Sequence, residues 1–186
     1  MKGLLVAMGV FVAVSLSGGT CFAQQVDLSK LDMVAIKSVR VLKKENLVAQ
    51  VTVVLKSNSE HKLRLKNADL KVIIDDKKNE KSKKPTLILG DAKIENLEIE
   101  SAKDPQTPCI KDHEVNVDMG PAADQATQQR LVDLVNLMCD PSREISLTLK
   151  GRTTAGVAHP RGWVDKDNYS FELKWLPTIQ REILLQ

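Results

Sequence analysis

Three histidines and three cysteines are the residues of this chain best suited to bind a metal or act as a nucleophile or base. His61, His113 and His159 each fall in or beside a segment that reads as a turn. They lie far apart, without the HxxxH or HxH spacing that stacks two imidazoles on one helix or strand face. The reading is three surface histidines and no metal. His113 and Glu114 beside Cys109 are the one cluster that mixes ligand types. Asp75 and Asp76 are adjacent carboxylates, but they begin a lysine-rich stretch over 75–84 that reads as a solvated hairpin loop. A general acid there would lack the burial that raises a carboxyl pKa. No G-x-S-x-G elbow, P-loop or dinucleotide fingerprint occurs. These observations point to a chain that is not an enzyme and needs no cofactor.

The third cysteine, Cys21, belongs to a different kind of signal. Lys2 gives a short positive start, an apolar run follows to about Leu16, and Cys21-Phe22-Ala23 ends in a small-x-Ala pattern. Residues 1–23 therefore read as a signal peptide and predict export to the periplasm. The alternative is a membrane-anchored lipoprotein acylated on Cys21. In an exported chain, the remaining Cys109 and Cys139 suggest one disulfide. A strand leading away from Cys109 and a helix returning to Cys139 would bring the two together. Such a loop would stabilise by about 3–4 kcal/mol on the chain-entropy model. Two buried thiols are the alternative.

Charge and composition narrow the partners. Lys and Arg total 27 against 24 Asp and Glu, a net charge of +3 that includes Lys2. That balance lacks the strongly basic face of a nucleic-acid binder. Aromatic residues make up 3% of the chain, too few for a stacking platform along a single strand.

The elements that must position these residues are mostly strands. After a lead-in over 24–32, a single domain is predicted over 33–186. Residues 33–42 alternate with a phase change at Lys37-Ser38, which predicts a bulge. Leu47, Ala49, Val51, Val53 and Leu55 form the cleanest period-two face. Leu63 and Leu65 change phase to Ala68, Leu70, Val72 and Ile74, a bent strand or two short ones. Leu87, Ile88 and Leu89 lead through Gly90-Asp91 to Ala92, Ile94, Leu97 and Ile99. Residues 101–112 read as a loop, because Pro105 and Pro108 cannot join a ladder. A strand over 114–119 follows, then a helix near residues 121–139, with Pro121 at its first position and Asp124 in its first turn. Its buried stripe is predicted as Leu131, Leu134, Val135 and Met138. A long strand over 145–157, a loop over 159–168 and a closing strand through Tyr169, Phe171, Leu173 and Trp175 complete the domain; Ile179, Ile183 and Leu184 are candidates to dock the tail. Short, turn-punctuated alternating segments predict a mainly β fold, an antiparallel β-sandwich of about seven strands with one α-helix.

That order of elements resembles the late embryogenesis abundant type 2 family, also called the water stress and hypersensitive response (WHy) domain. Val51-Thr52-Val53-Val54-Leu55-Lys56-Ser57-Asn58-Ser59 is similar to the family's strand ending in Asn-Pro, with Ser59 in place of the Pro. Residues 114–139 resemble its strand and single helix. Ile145-Ser146-Leu147-Thr148-Leu149-Lys150-Gly151 resembles the next strand, and Leu173-Lys174-Trp175-Leu176-Pro177 the closing one. The resemblance implies a fibronectin type III-like sandwich and a non-enzymatic domain linked to desiccation or envelope stress. The expected function is therefore an exported domain of the cell envelope that binds or protects. The alternative is an accessory subunit of envelope assembly or lipid trafficking. Its partner would be an envelope protein or a lipid, with a possible membrane-surface association. The two long loops are where recognition would sit. Trp163, flanked by Arg161 and Lys166, is the candidate contact, since Trp and Arg dominate binding hot spots; a Trp163 folded onto the core is the competing reading.

Overall fold

A computed structural model describes residues 26–76, 86–104, 106–140, 142–175 and the backbone of Leu184–Leu185. The signal segment with Cys21, the lysine-rich residues 77–84, and Ile179 and Ile183 of the tail lie outside the described residues. Among the described residues seven long antiparallel strands form: β1 (Leu31–Lys43), β2 (Asn46–Ser57), β3 (Leu63–Asp76), β4 (Leu87–Ile99), β5 (Cys109–Pro121), β6 (Ile145–His159) and β7 (Gly162–Trp175). One helix, α1 (Gln125–Cys139), joins β5 to β6, and β8 (Leu184–Leu185) adds a short parallel pairing to β1 at Ser38 and Val39. Among the described residues the fold is mainly β and antiparallel with one helix, in agreement with the strand periods.

The strands form one sheet in the order β7-β6-β3-β4-β5-β2-β1-β8. Its weak point is the centre. β3 and β4 pair along their whole length, but β4 and β5 meet only at Asp91↔Asp118 and Ala92↔Val117. The sheet folds over at this seam. β1 thereby comes against β7, from the far end of the strand order, and both halves line one core. The two halves share one hydrogen-bonded sheet. Gly90 makes the seam possible, because a Cβ there would lie 2.1 Å from the Asp118 carbonyl oxygen.

Two features close the ends of the roll. At one end α1 lays Leu134 and Met138 over Ile36, Val39, Val51, Ile74 and Leu89, leaving an apolar space of only about 10 Å³. At the other end Val26 and Leu28 are buried in the core. The backbone there is fixed by Leu31 N–H donating to the Leu28 carbonyl (3.0 Å) and Asn58 N–H donating to that of Lys30 (2.9 Å). The predicted lead-in is thus a plug.

Several boundaries differ from the sequence reading. Pro121 does not start the helix. It ends β5, paired with Asn46, because the following amide, Ala122 N–H, is taken by the Glu45 carbonyl of the neighbouring hairpin (2.9 Å). The helix starts after Asp124, whose carboxylate accepts from Thr127 N–H and Oγ1–H, both at 3.1 Å, as an N-cap. Its buried residues are Thr127, Leu134 and Leu137, while Val135 is 40% exposed. Residues 109–112 are strand, held by pairing with β2. Residues 162–168 are also strand, the first half of β7 along β6. The bulge in β1 is present between Ile36 and Ser38, and a second one, which the sequence pattern did not reveal, lies between Met33 and Ala35. β3 is one bent strand, with Asn67 at φ +48° where its register against β6 slips.

Candidate functional site

The β3–β6 ladder brings together what the sequence separates. Leu63 faces Val157, Arg64 faces Gly156, and Ala158 N–H donates to the Lys62 carbonyl at 2.9 Å. One further step places His61 opposite His159, and their rings are 5.0 Å apart between centroids, inclined at 56°. Side chains alternate along a strand, so this pair shares the inner face of buried Leu63 and Val157, at the mouth of the core. Ser59 fixes the turn: its Oγ–H donates to the His61 carbonyl (2.8 Å) and its Oγ accepts from His61 N–H (3.2 Å). His159 Nε2 is enclosed without a hydrogen-bond partner among the described residues. The expectation of three separate surface histidines is corrected: two of them meet, and both are partly buried.

The adjacent outward row builds the second half of the site. Arg64 Nε and Nη2 donate to Asp165 Oδ1 and Oδ2 at 3.0 and 2.5 Å, a bidentate pair. The same guanidinium lies 4.2 Å from the ring centre of Trp163. Gly156 sits beneath, where a Cβ would come within 2.3 Å of Asp165 Oδ1 and 2.8 Å of Arg64 Cγ. Its missing side chain lets the ion pair lie flat on β6. The Arg64 hydrogen bond holds the Asp165 carboxyl below its ordinary value. On the same row Lys62 Nζ lies 2.9 Å from Glu100 Oε2, and their hydrogen bond raises the amine and lowers the carboxyl.

Trp163 is therefore not folded into the core; it stands on the outer face of β7, opposite Ala158 and under Arg64. Arg161 is exposed in the β6–β7 turn beside it. Lys166 leaves the group: its amine lies 5.5 Å from the Tyr169 ring centre. Asp76 is drawn into β3 and buried, facing Arg143 Nη1 at 3.5 Å, so it is not a solvated loop carboxylate. Sequence reasoning missed Arg64, Asp165 and the histidine pair. Only the strand register joins them.

The predicted disulfide is absent; Cys109 and Cys139 are free, the first half-buried and the second exposed. The reason is length. β5 has 13 residues and spans about 40 Å, whereas the 15-residue helix returns only about 22 Å. The helix is too short to carry Cys139 back over the full length of β5. His113 and Glu114 are strand neighbours and point to opposite faces; Glu114 accepts from Gln50 Nε2 at 3.2 Å. His113 faces inward opposite Val53, and its enclosed Nε2 also lacks a partner among the described residues.

Burial holds the His113 pKa below its ordinary value of 6.5, with Lys111 adding to the effect and Asp112 opposing it. The unfolded chain therefore binds the proton first. Stability contributed by neutral His113 is present above pH 6.5 and is lost as the pH falls through and below that value. His113→Leu is expected to flatten this part of the profile. Urea denaturation of both proteins at pH 7.5 and pH 5.5 checks it, and an unchanged pH difference in the variant would overturn it.

A second concavity, of about 630 Å³, opens at the seam and is lined by Asn46, Lys71, Ile88, Asp91, Lys93 and Arg130, among others. Asp118, on the same wall, is held by the Asn46 amide (2.9 and 3.1 Å) and by Gly120 N–H (2.9 Å). The groove mixes both signs of charge.

Neither a protein-family model nor a curated protein matches the sequence. Among solved structures, the chain is similar to a crystal structure described as a protein from Archaeoglobus fulgidus. That match has 6% identity and a TM-score of 0.31, over 78% of this chain and 100% of that one. A likeness this slight carries neither fold nor function.

Proposed function

We propose that this chain is an exported, non-catalytic binding domain of the cell envelope that engages its partner through the outer face of the β6–β7 hairpin. One observation carries the proposal: Trp163 stands on the outer surface, stacked by a guanidinium that is itself locked to Asp165, with Arg161 exposed beside it. An aromatic ring held rigidly at the surface loses little freedom on binding, which is what concentrates affinity on Trp and Arg. The signal-like residues 1–23 support the export part of the reading. The resemblance to late embryogenesis abundant type 2 proteins supports a stress-protective setting. An accessory subunit of envelope assembly or lipid trafficking is the alternative; the apolar space beneath α1, about 10 Å³, does not take an acyl chain.

Photocrosslinking in intact cells tests the reading. A photoreactive residue at Arg161 is expected to give a discrete adduct, while the same residue at exposed Val132 on α1 gives none. Trp163→Ala is expected to remove the adduct and cost about 2 kcal/mol or more of binding. An adduct that appears equally from both positions, or survives Trp163→Ala, would sink the proposal. A deletion strain that survives drying as well as its parent would remove the stress-protective part alone.

A further inference from the structure

We propose that His61 and His159 form a binding site for a divalent first-row transition-metal ion, held by the two imidazoles with its other positions open to water. His61 lies in the bend just before β3, one step beyond the Lys62–Ala158 hydrogen bond, so its ring and that of His159 come together at the end of the ladder. An imidazole nitrogen binds such an ion at about 2.0–2.1 Å, which sets each ring centre about 3 Å from it. Two rings sharing one ion at adjacent positions then have centres about 4.5–5 Å apart. The observed separation is 5.0 Å, and the 56° inclination suits two rings turned toward a common ligand better than parallel stacking.

Three further observations agree. His159 Nε2 is enclosed with no partner among the described residues, a costly condition that a bound ion relieves. His61 is pre-positioned, since its backbone is tied on both sides to Ser59 Oγ. Two cations of the neighbouring outward row are paired, Lys62 with Glu100 and Arg64 with Asp165. Exposed Arg161 remains as a positive charge in the turn.

Imidazole favours zinc, copper and nickel over magnesium or calcium. A closed structural zinc site uses four protein ligands, and among the described residues no three of His, Cys, Asp and Glu gather to hold an ion. The geometry therefore describes an open, exchangeable site rather than a structural one, and it adds a ligand class to the binding domain without depending on the Trp163 surface.

The full chain, titrated with Ni²⁺ and separately with Zn²⁺ at pH 7.5 while thermal unfolding is followed, tests the site. An ion that binds only the native state raises the midpoint with concentration. That rise is expected in the natural protein and in His113→Phe, and is expected to vanish in His61→Phe and in His159→Phe, which keep a ring of similar volume. Circular dichroism without metal establishes that each variant is folded; His61→Gln and His159→Gln replace any that is not. A natural protein with no rise would overturn the proposal. So would a rise that persists when His159 is replaced, since the ion would then sit on the thiols or a terminus.

Discussion

Gly151→Ala is expected to be severely destabilising, well beyond the cost of Gly162→Ala. Gly151 faces Leu70 on one side and Phe171 on the other, in the middle of the best-paired part of the sheet. A Cβ there would lie 2.0 Å from the Asp69 carbonyl oxygen, 2.9 Å from Leu70 Cα and 3.0 Å from Asp69 C. All three are backbone atoms of β3, so no rotamer change relieves the contact. β3 comes this close because its bulge at Asn67 puts an extra residue into the strand and bends it onto β6. Separating the strands would break a ladder whose neighbours, Leu70 and Phe171, are core residues. The expected loss is about 4 kcal/mol or more, at the severe end for a single substitution. Domains of this kind have only about 5–15 kcal/mol to lose. Gly162→Ala is the comparison. Nothing stands within 4 Å of a Cβ there, but φ is +123°, so the cost is backbone strain alone, about 1–3 kcal/mol. Urea midpoints for both variants check the order, and a Gly151→Ala protein as stable as Gly162→Ala would refute the account.

That glycine also marks the limit of what the sequence shows. Period-two patterns made the strands legible wherever one face is buried: β2, the second half of β7 and nearly all of β6 were readable from alternation. Even the β1 bulge showed, because an inserted residue moves the apolar set to the other parity. Strand segments exposed on both faces did not show. Ile110, Lys111 and Asp112 carry no alternation, and they are strand because β2 offers them partners. Residues 162–168 follow β6 for the same reason. Val26 and Leu28 are too few to make a pattern, yet they close one end of the core.

The candidate site divides along the same line. Trp163 and Arg161 are visible in the sequence as an aromatic and a cation in a polar stretch between two strands. Their partners are not. Arg64 and Asp165 meet because β3, β6 and β7 are consecutive in the sheet, and nothing local in either segment encodes that order. The histidines make the point most sharply. Each has the local surroundings of a turn residue, and their meeting follows from an antiparallel register set by Leu63↔Val157. The disulfide failed in the opposite direction: a sound topological argument used a strand half the length of the one that forms.

Leu134→Ala and Val135→Ala separate the two readings of the helix, and they are expected to differ by about 3 kcal/mol. On the sequence pattern both residues belong to one buried stripe with Leu131 and Met138, so both truncations would be costly. In the structure the stripe is turned so that Leu137 goes in and Val135 stays out. A helix with apolar residues at consecutive positions has two acceptable faces, and the side on which the sheets stand chooses between them. Leu134 is 1% exposed and lines a small apolar space together with Ile36, Val39 and Val51 from one half of the sheet and Ile74, Leu89 and Ile145 from the other. Its truncation removes the contact through which α1 closes that end, in a core that leaves only about 10 Å³ beside it. The cavity stays open because the strands around it are fixed by their ladders, so about 3–4 kcal/mol should be lost. Val135 has solvent on its outer side, and shortening it should change stability by about 0.5 kcal/mol or less. Equilibrium unfolding of the two variants measures the difference. Equal losses would mean that the helix docks on the face the sequence pattern suggests, with Val135 inside.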